Sequence, residues 1–437
     1  MSAYEFKSSP IKAGDDGSLE ARWWIDTPRN SAYCAFPHGT IEVSGWVFST
    51  KKTSVLIRTP SKTYEIELTE ERKDVLKKFL TVSSKKPTHS KYGFTTKIHF
   101  EGHLEFGIRQ DNCEYWVQEI SIITRPKVIS GRNNWLFLDN DTNRSVDQFQ
   151  GNLLLSSEVI SNWVKYHDWV SDTASHIKAE WQLLVVPAKE EIFPEYYPFK
   201  RGELTPIDQF LQEFKSIKNV SCPINALLDT RELSYYRTDT HWSDYGAYVA
   251  AIEILKNFKL DNHIIYLKNT FHTKLSEGDL GSRLTPPHRS VSLFADHAPS
   301  SITKIFDSCI SNIGRIWIFE NLESSSSKKV IIFGDSFSVN LVNQLSCVFR
   351  RVVYAHTVAS IDQTILDHEQ PDFLLLQTNQ RFLLKHPETD FSIWNAIQSK
   401  TLEFSDDKRK SIVAQINTQP HETCFFYINK MLNILNV

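Results

Sequence analysis

Between Trp23 and Thr124 apolar and polar residues alternate in short runs. The clearest cover residues 40–48 (TIEVSGWVF), 54–58 (SVLIR), 63–68 (TYEIEL), 94–100 (FTTKIHF) and 104–108 (LEFGI). A period of two places every second side chain on one face of a strand. Runs this short, joined by polar turns, predict an antiparallel β-sandwich of about 100 residues. Beyond residue 126 the period changes. Ile160, Trp163, Val164, Val170, Ala174 and Ile177 recur at helical spacing, with Ser156 or Ser157 as cap, and WQLLVVP at 181–187 reads as a buried strand stopped by proline. Helices over 207–217 and 245–258 and strands ending at Gly334, Tyr354 and Gln377 continue the alternation. Alternating strand and helix predicts an α/β domain with a parallel sheet covered on both faces. The expected organisation is a flexible lead over 1–20, the sandwich over 21–125, the α/β domain over 126–395 and a helical extension over 396–437. That extension carries Phe425, Phe426, Ile428, Met431 and Leu432 on one face.

The stretch with the most chemistry is 329–345, KVIIFGDSFSVNLVNQL. A β-branched run enters Gly334-Asp335-Ser336, and Phe337, Leu341, Val342 and Leu345 follow at helical spacing. Strand, tight turn and helix put a serine hydroxyl at the carboxyl end of a strand, where ligands of parallel sheets collect. Gly-Asp-Ser alone is an ordinary turn. A base is offered upstream by Asp239-Thr240-His241, with Ser243 as N-cap of the next helix. Asp239, His241 and Ser336 then supply orienter, base and nucleophile for acyl transfer. A metal site built from His241, Asp239 and Asp244 is the rival, and two near neighbours do not complete a coordination shell. Backbone N–H groups of Ser336 and Phe337 are the first oxyanion candidates, with the side chains of Asn340, Asn379 and Arg381 as further ones. Lys189, after the proline-stopped strand, is a candidate anchor for a substrate carboxylate or phosphate.

Asp-Thr-His-Trp-Ser ahead of a Gly-Ala helix, with Gly-Asp-Ser-Phe-Ser further on, resembles the SGNH hydrolase-like domain of the alginate O-acetyltransferase family, of AlgX and AlgJ type. Ordinary SGNH hydrolases carry the Gly-Asp-Ser block first, so the motif order here is permuted as in that subfamily. Asn134-Trp135-Leu136-Phe137-Leu138, Gly151, 185–190 (VVPAKE), Gly278-Asp279-Leu280, 371–375 (PDFLL) and Gln380-Arg381-Phe382 extend the likeness over roughly residues 128 to 385. Ala188 stands where the family often has Asn, and Gln380 where it often has Glu. The resemblance implies a three-layer SGNH-like sheet and an O-acetyltransferase working through an acetyl-serine on a surface, capsular or exopolysaccharide glycan. An SGNH-type esterase is the nearest alternative, because the chemistry up to the acyl-enzyme is shared. A non-catalytic glycan-binding or assembly protein is the alternative of another class. Trp23-Trp24, Gly45-Trp46, Arg72-Lys73-Asp74-Val75 and Gly93-Phe94 also resemble a β-sandwich module that accompanies bacterial surface-polysaccharide enzymes. Trp24, Trp46 and Trp116 are either sugar platforms or sandwich core, the commoner use.

Composition narrows this only a little. The chain has 437 residues, 41% hydrophobic and 23% charged, with a net charge of -3, which gives no electrostatic case for nucleic acid. No apolar run approaches a membrane span, and residues 1–20 lack the apolar core of a signal peptide. The expectation is a cytoplasmic protein that uses acetyl-CoA as donor, with no tightly bound cofactor and no metal. A homo-oligomer or capsule-assembly partner stays open. Cys34, Cys113, Cys222, Cys309, Cys347 and Cys424 form no Cys-x-x-Cys pair and read as free thiols.

Overall fold

The structure is a computed structural model that describes residues 3–11, 19–28, 33–35, 40–79, 91–99, 102–124, 128–139, 141–284, 287–296 and 299–435. The expected domain boundary at residue 126 and the end of the run at Phe100 lie outside the described residues. The chain divides into two compact units, one of residues 1–139 with 277–289, the other of 140–276 with 290–437.

The first unit is an antiparallel sandwich. One sheet has the order Tyr33–Ala35, Ala3–Pro10, Cys113–Thr124, His103–Gln110, Thr53–Arg58, Thr63–Ile66, and the other Ala21–Thr27, Thr40–Ser49, Lys91–His99, Glu70–Glu71. Alternate residues of both, among them Val43, Val47, Val55, Ile57, Phe94, Phe106 and Ile120, fill the interior. Ala3–Pro10 corrects the expected flexible lead, because it pairs along Cys113–Thr124. Its ladder is a backbone interaction with a partner more than 100 residues away, which a polar sequence neither announces nor forbids. None of the three tryptophans enters that interior. Trp46 packs with Phe48, Val75 and Phe79 in a small separate cluster, the Arg58 guanidinium covers Trp116 at 4.1 Å, and Trp24 stays exposed. Gly278-Asp279-Leu280, expected in the α/β domain, belongs to this unit, where Leu280 packs on Val128 and Leu136.

The second unit is built on a seven-stranded sheet of order Val220–Ser221, Glu180–Val186, Phe373–Asn379, Ser326–Gly334, Phe349–His356, Ile316–Asn321, Ile302–Asp307. The first five strands are parallel. Ile316–Asn321 pairs antiparallel with Phe349–His356 and Ile302–Asp307 antiparallel with Ile316–Asn321, an antiparallel edge that the strand–helix alternation did not announce. A strand returning through a short turn has no crossover helix and must reverse direction. On one face Val185, Ile331, Val353 and Leu374 share a core with Trp163 and Tyr166 of helix Ser157–His176. Ile397, Ile412, Tyr427 and Met431 from the last three helices join the same core, so residues 396–435 are part of this unit's interior and not an appended extension. On the other face Ser338 of helix Ser338–Leu345 reaches Gln377, and that helix packs on Asp244–Asn257. Ser156 and Ser243 cap their helices as expected, accepting from Val159 and Gly246. A hairpin of Phe271–Ser276 with Ser290–Ala295 had no signal in the sequence reading. Among the described residues no helix is long and apolar enough to cross a membrane. Cys113, Cys222, Cys309, Cys347 and Cys424 are free thiols, and the Cys34 side chain lies outside the described residues.

Candidate active site

Val330, Ile331, Ile332 and Phe333 are fully buried, so the strand that carries Ser336 is fixed on both faces before it turns. At Gly334 a β-carbon would overlap Ser338 Oγ and lie 2.8 Å from Gln377 Oε1, so the turn needs glycine for space. Asp335 organises the bend from inside. Its Oδ1 accepts from the Phe337 N–H at 2.8 Å, its Oδ2 from the Asn379 N–H at 2.9 Å, and its own N–H donates to Gln377 Oε1 at 2.9 Å. Tyr354 Oη donates to its carbonyl at 2.7 Å. Burial pushes the Asp335 carboxyl up from its ordinary range, opposed by the Phe337 N–H and the Arg381 charge. With the backbone held on three sides, the Ser336 side chain is what the turn leaves to project.

His241 comes from a narrow loop closed by a bridge between Tyr235 and Trp242 and by Tyr236 N–H donating to His241 O at 3.3 Å. Within it Asp239 Oδ1 accepts from the His241 backbone N–H at 2.9 Å and lies 2.6 Å from His241 Nδ1. His241 Nε2 lies 2.7 Å from Ser336 Oγ. With Asp239 a carboxylate, Nδ1 carries the ring proton and Nε2 accepts from the serine hydroxyl. Three residues separated by up to 97 positions thus form one hydrogen-bonded line. The imidazole packs on the Phe337 ring at 4.8 Å, and Trp242 Nε1 donates to Phe337 O at 3.0 Å, which ties the loop to the nucleophile turn. Asp244 does not join them: its Oδ2 accepts from Ala295 N–H at 2.7 Å.

The remaining sequence candidates separate. The Phe337 N–H is spent on Asp335, which removes it as an oxyanion donor, whereas the Ser336 N–H has no acceptor among the described residues. Asn340 Nδ2 donates to Trp242 O at 3.4 Å. Asn379 is buried beside the turn, with Oδ1 accepting from Arg381 N–H at 3.1 Å and Nδ2 without a partner among the described residues. Arg381 also has a buried Nε without a partner among the described residues, and its guanidinium lies 4.9 Å from the Phe382 ring. Lys189 is almost wholly buried, and its ammonium donates to the carbonyls of Tyr236, Arg237 and Asp239. It is not placed as a substrate anchor, because all of these acceptors are backbone of the Asp–His loop. Gln380 Oε1 accepts from Ala188 N–H at 2.9 Å and its Nε2 donates to Glu191 at 3.3 Å, so the two positions that depart from the family pattern are bonded to each other.

Sequence reasoning missed three groups. Gln377, two residues before Asn379, accepts from both Asp335 and Ser338. Glu190 is buried next to Lys189, and desolvation pushes its carboxyl up to about 7. His356, at the end of the strand beside Ser336's, is pushed down to about 3 by burial and by the Arg315 charge and stays neutral. A polar residue inside an apolar strand, as in LLLQTNQ, was the available signal for the first. Nothing in the sequence separates Glu190 from a solvated neighbour of Glu191.

A profile of the SGNH hydrolase-like domain, acetyltransferase AlgX, matches residues 128–364. The probable alginate O-acetylase AlgJ of Azotobacter vinelandii is 26% identical over 203 residues, which cover 42% of this chain and 49% of that protein. The AlgJ of Pseudomonas fluorescens is 30% identical over 149 residues, covering 30% and 33%. The chain therefore spans half or less of the length of these curated relatives. Among solved structures, PatB1 of Bacillus cereus superposes with a TM-score of 0.44 at 12% identity, covering 61% of this chain and 98% of that one. The O-acetyltransferase domain of Pseudomonas putida AlgJ does so at 0.39 and 17%, covering 64% and 100%.

Proposed function

The chain belongs to the family of SGNH hydrolase-like domains of the acetyltransferase AlgX type, and from that membership we propose that it moves acetyl groups to hydroxyls of a bacterial surface polysaccharide through an acetyl-serine on Ser336. The observation that carries the proposal is the unbroken line from Asp239 through His241 to Ser336. In this reading His241 Nε2 takes the Ser336 proton as Oγ attacks the acetyl carbonyl, and Asp239 steadies the imidazolium that forms. The negative charge on the carbonyl oxygen is met by the Ser336 N–H, with Asn379 Nδ2 as second donor, both without a partner among the described residues. His241 returns the proton to the leaving group, which for acetyl-CoA is the thiol. A sugar hydroxyl then gives its proton to His241 as it attacks the acetyl-serine, and His241 passes that proton to Ser336 Oγ as the ester bond breaks. The relatives named alginate O-acetylases support a polysaccharide acceptor.

Intact-mass spectrometry tests this directly. Wild type incubated with acetyl-CoA, or with a chromogenic acetyl ester, gains one acetyl group, and Ser336→Ala gains none. Discharge of that acetyl group faster by a mannuronate tetrasaccharide than by water makes the protein a transferase. Discharge at the same rate with and without the sugar makes it an esterase. A wild type that is neither acetylated nor able to cleave the ester overturns the proposal.

A further inference from the structure

The groups that hold the Asp–His loop point to a residue the sequence reading put to another use. The loop carries no helix or ladder of its own beyond the single bridge at its neck, so its carbonyls need partners from elsewhere. They find them at the carboxyl end of strand Glu180–Val186. Tyr235 Oη donates to Pro187 O at 2.5 Å, and Lys189 Nζ lies 3.1 Å from Tyr236 O, 3.4 Å from Arg237 O and 2.5 Å from Asp239 O. An ammonium has three N–H groups, and here three carbonyls converge on it. Lys189 itself is 3% exposed, and a buried cation is tolerated only where such partners are supplied.

We infer that Lys189 is the positioning residue of the triad: its ammonium gathers the Tyr236–Asp239 backbone and thereby sets the Asp239 carboxylate against His241 Nδ1. The inference rests on the acyl-transfer reading of Ser336 and adds to it the source of the loop's geometry. The Asp239 carboxylate is one side chain away from the shortest of the three contacts. The same residue's Oδ1 then receives both the His241 backbone N–H and the ring nitrogen. Without the ammonium three partly buried carbonyls lose a donor, and the loop relaxes toward water. The rest of the strand end is fixed independently, because Ala188 N–H is held by Gln380.

The test compares Lys189→Met with wild type in ester hydrolysis, and reads the far-downfield proton resonance of His241 Nδ1–H, which reports the bond to Asp239. Misplacing a catalytic group by about 1 Å costs roughly 10²-fold, so kcat falls by that order while KM for the ester stays within about twofold. The resonance is lost. Ile397→Ala, a cavity in the core far along the chain, lowers stability yet keeps both kcat and resonance. Should Lys189→Met fail to fold, Lys189→Gln keeps two N–H donors and shows the same pattern in weaker form. A raised KM with kcat and resonance unchanged makes Lys189 a substrate anchor and overturns the inference, as does a variant identical to wild type in all three. A wild type that is neither acetylated nor able to cleave the ester defeats the acyl-transfer reading, and the resonance alone then decides whether Lys189 sets the Asp–His pair.

Discussion

The two ends of the seven-stranded sheet both bury polar groups, and they treat them in opposite ways. At the amino end Glu369 accepts two bonds from Arg351, pairs with Lys329 and accepts from Tyr427 Oη of the last helix. Arg351 turns its remaining nitrogen to Glu320 at 2.8 Å. At the carboxyl end the accounting is left open. Of the seven buried side-chain atoms without a partner among the described residues, four sit there, on Thr357, Gln377, Asn379 and Arg381. Native interiors pair nearly all such groups, so a cluster of exceptions calls for a reason. One end is arranged for the folded state alone. On the proposed mechanism, the other keeps donors in reserve for charge that exists only while an acyl group is being transferred.

The largest effect expected from breaking this contrast is at the open end. Ser336→Ala should lower acetyl transfer by roughly 10⁴-fold or more and leave the melting temperature where it is, as turnover and calorimetry would show. At the paired end the signature reverses. Glu369→Gln strands Arg351 and Lys329 without their carboxylate, costing about 3–5 kcal/mol in denaturant unfolding, with kcat per folded molecule unchanged.

The ends should also respond to pH with opposite sign. Burial pushes the Glu369 carboxyl up, but the Arg351 and Lys329 partners outweigh it and hold it below the usual range. Its stabilisation is therefore present above the unfolded value and is lost as pH falls through the folded one. Glu190, raised to about 7 by desolvation, keeps its proton in the folded state after the unfolded chain has released it. Stability then declines as pH rises from the ordinary glutamate range to about 7. Glu190→Gln should abolish that decline and be more stable than wild type at alkaline pH by on the order of 1–3 kcal/mol. Thermal melts of both variants across pH would check the two slopes together. The smallest effect sharpens the comparison by contrast: the pair of Lys328 with Asp372 is half exposed, and Lys328→Ala should shift unfolding by no more than about 0.5 kcal/mol.

What the sequence made legible was what is local. Asp239 and His241 are two residues apart, the Gly334-Asp335-Ser336 turn is contiguous with its strand and helix, and the alternation of strand and helix marks the α/β unit without reference to distant partners. Ser336, His241 and Asp239 meet as that reading required. The roles of Lys189 and Phe337 were not legible, because a lysine at a strand end looks the same whether it faces solvent or three carbonyls. The antiparallel edge, the return of 277–289 to the first unit and the pairing of Ala3–Pro10 all depend on register between distant segments. The last helices looked like an appendage because their apolar stripe shows that a surface is buried, not which one.

The position of Phe373–Asn379 has a consequence for how the molecule is made. This strand is the last of its sheet to leave the ribosome, yet it lies between Glu180–Val186 and Ser326–Gly334. Until it arrives, the strand whose end holds Lys189 and the strand that leads to Ser336 present open edges, which invite pairing with other nascent chains. Closing the gap is a single late event in synthesis. A chain interrupted before residue 373 would hold its base and its nucleophile together only through the Trp242–Phe337 bond and the packing of helix Ser338–Leu345 on Asp244–Asn257, without the strand that joins the two halves of the sheet.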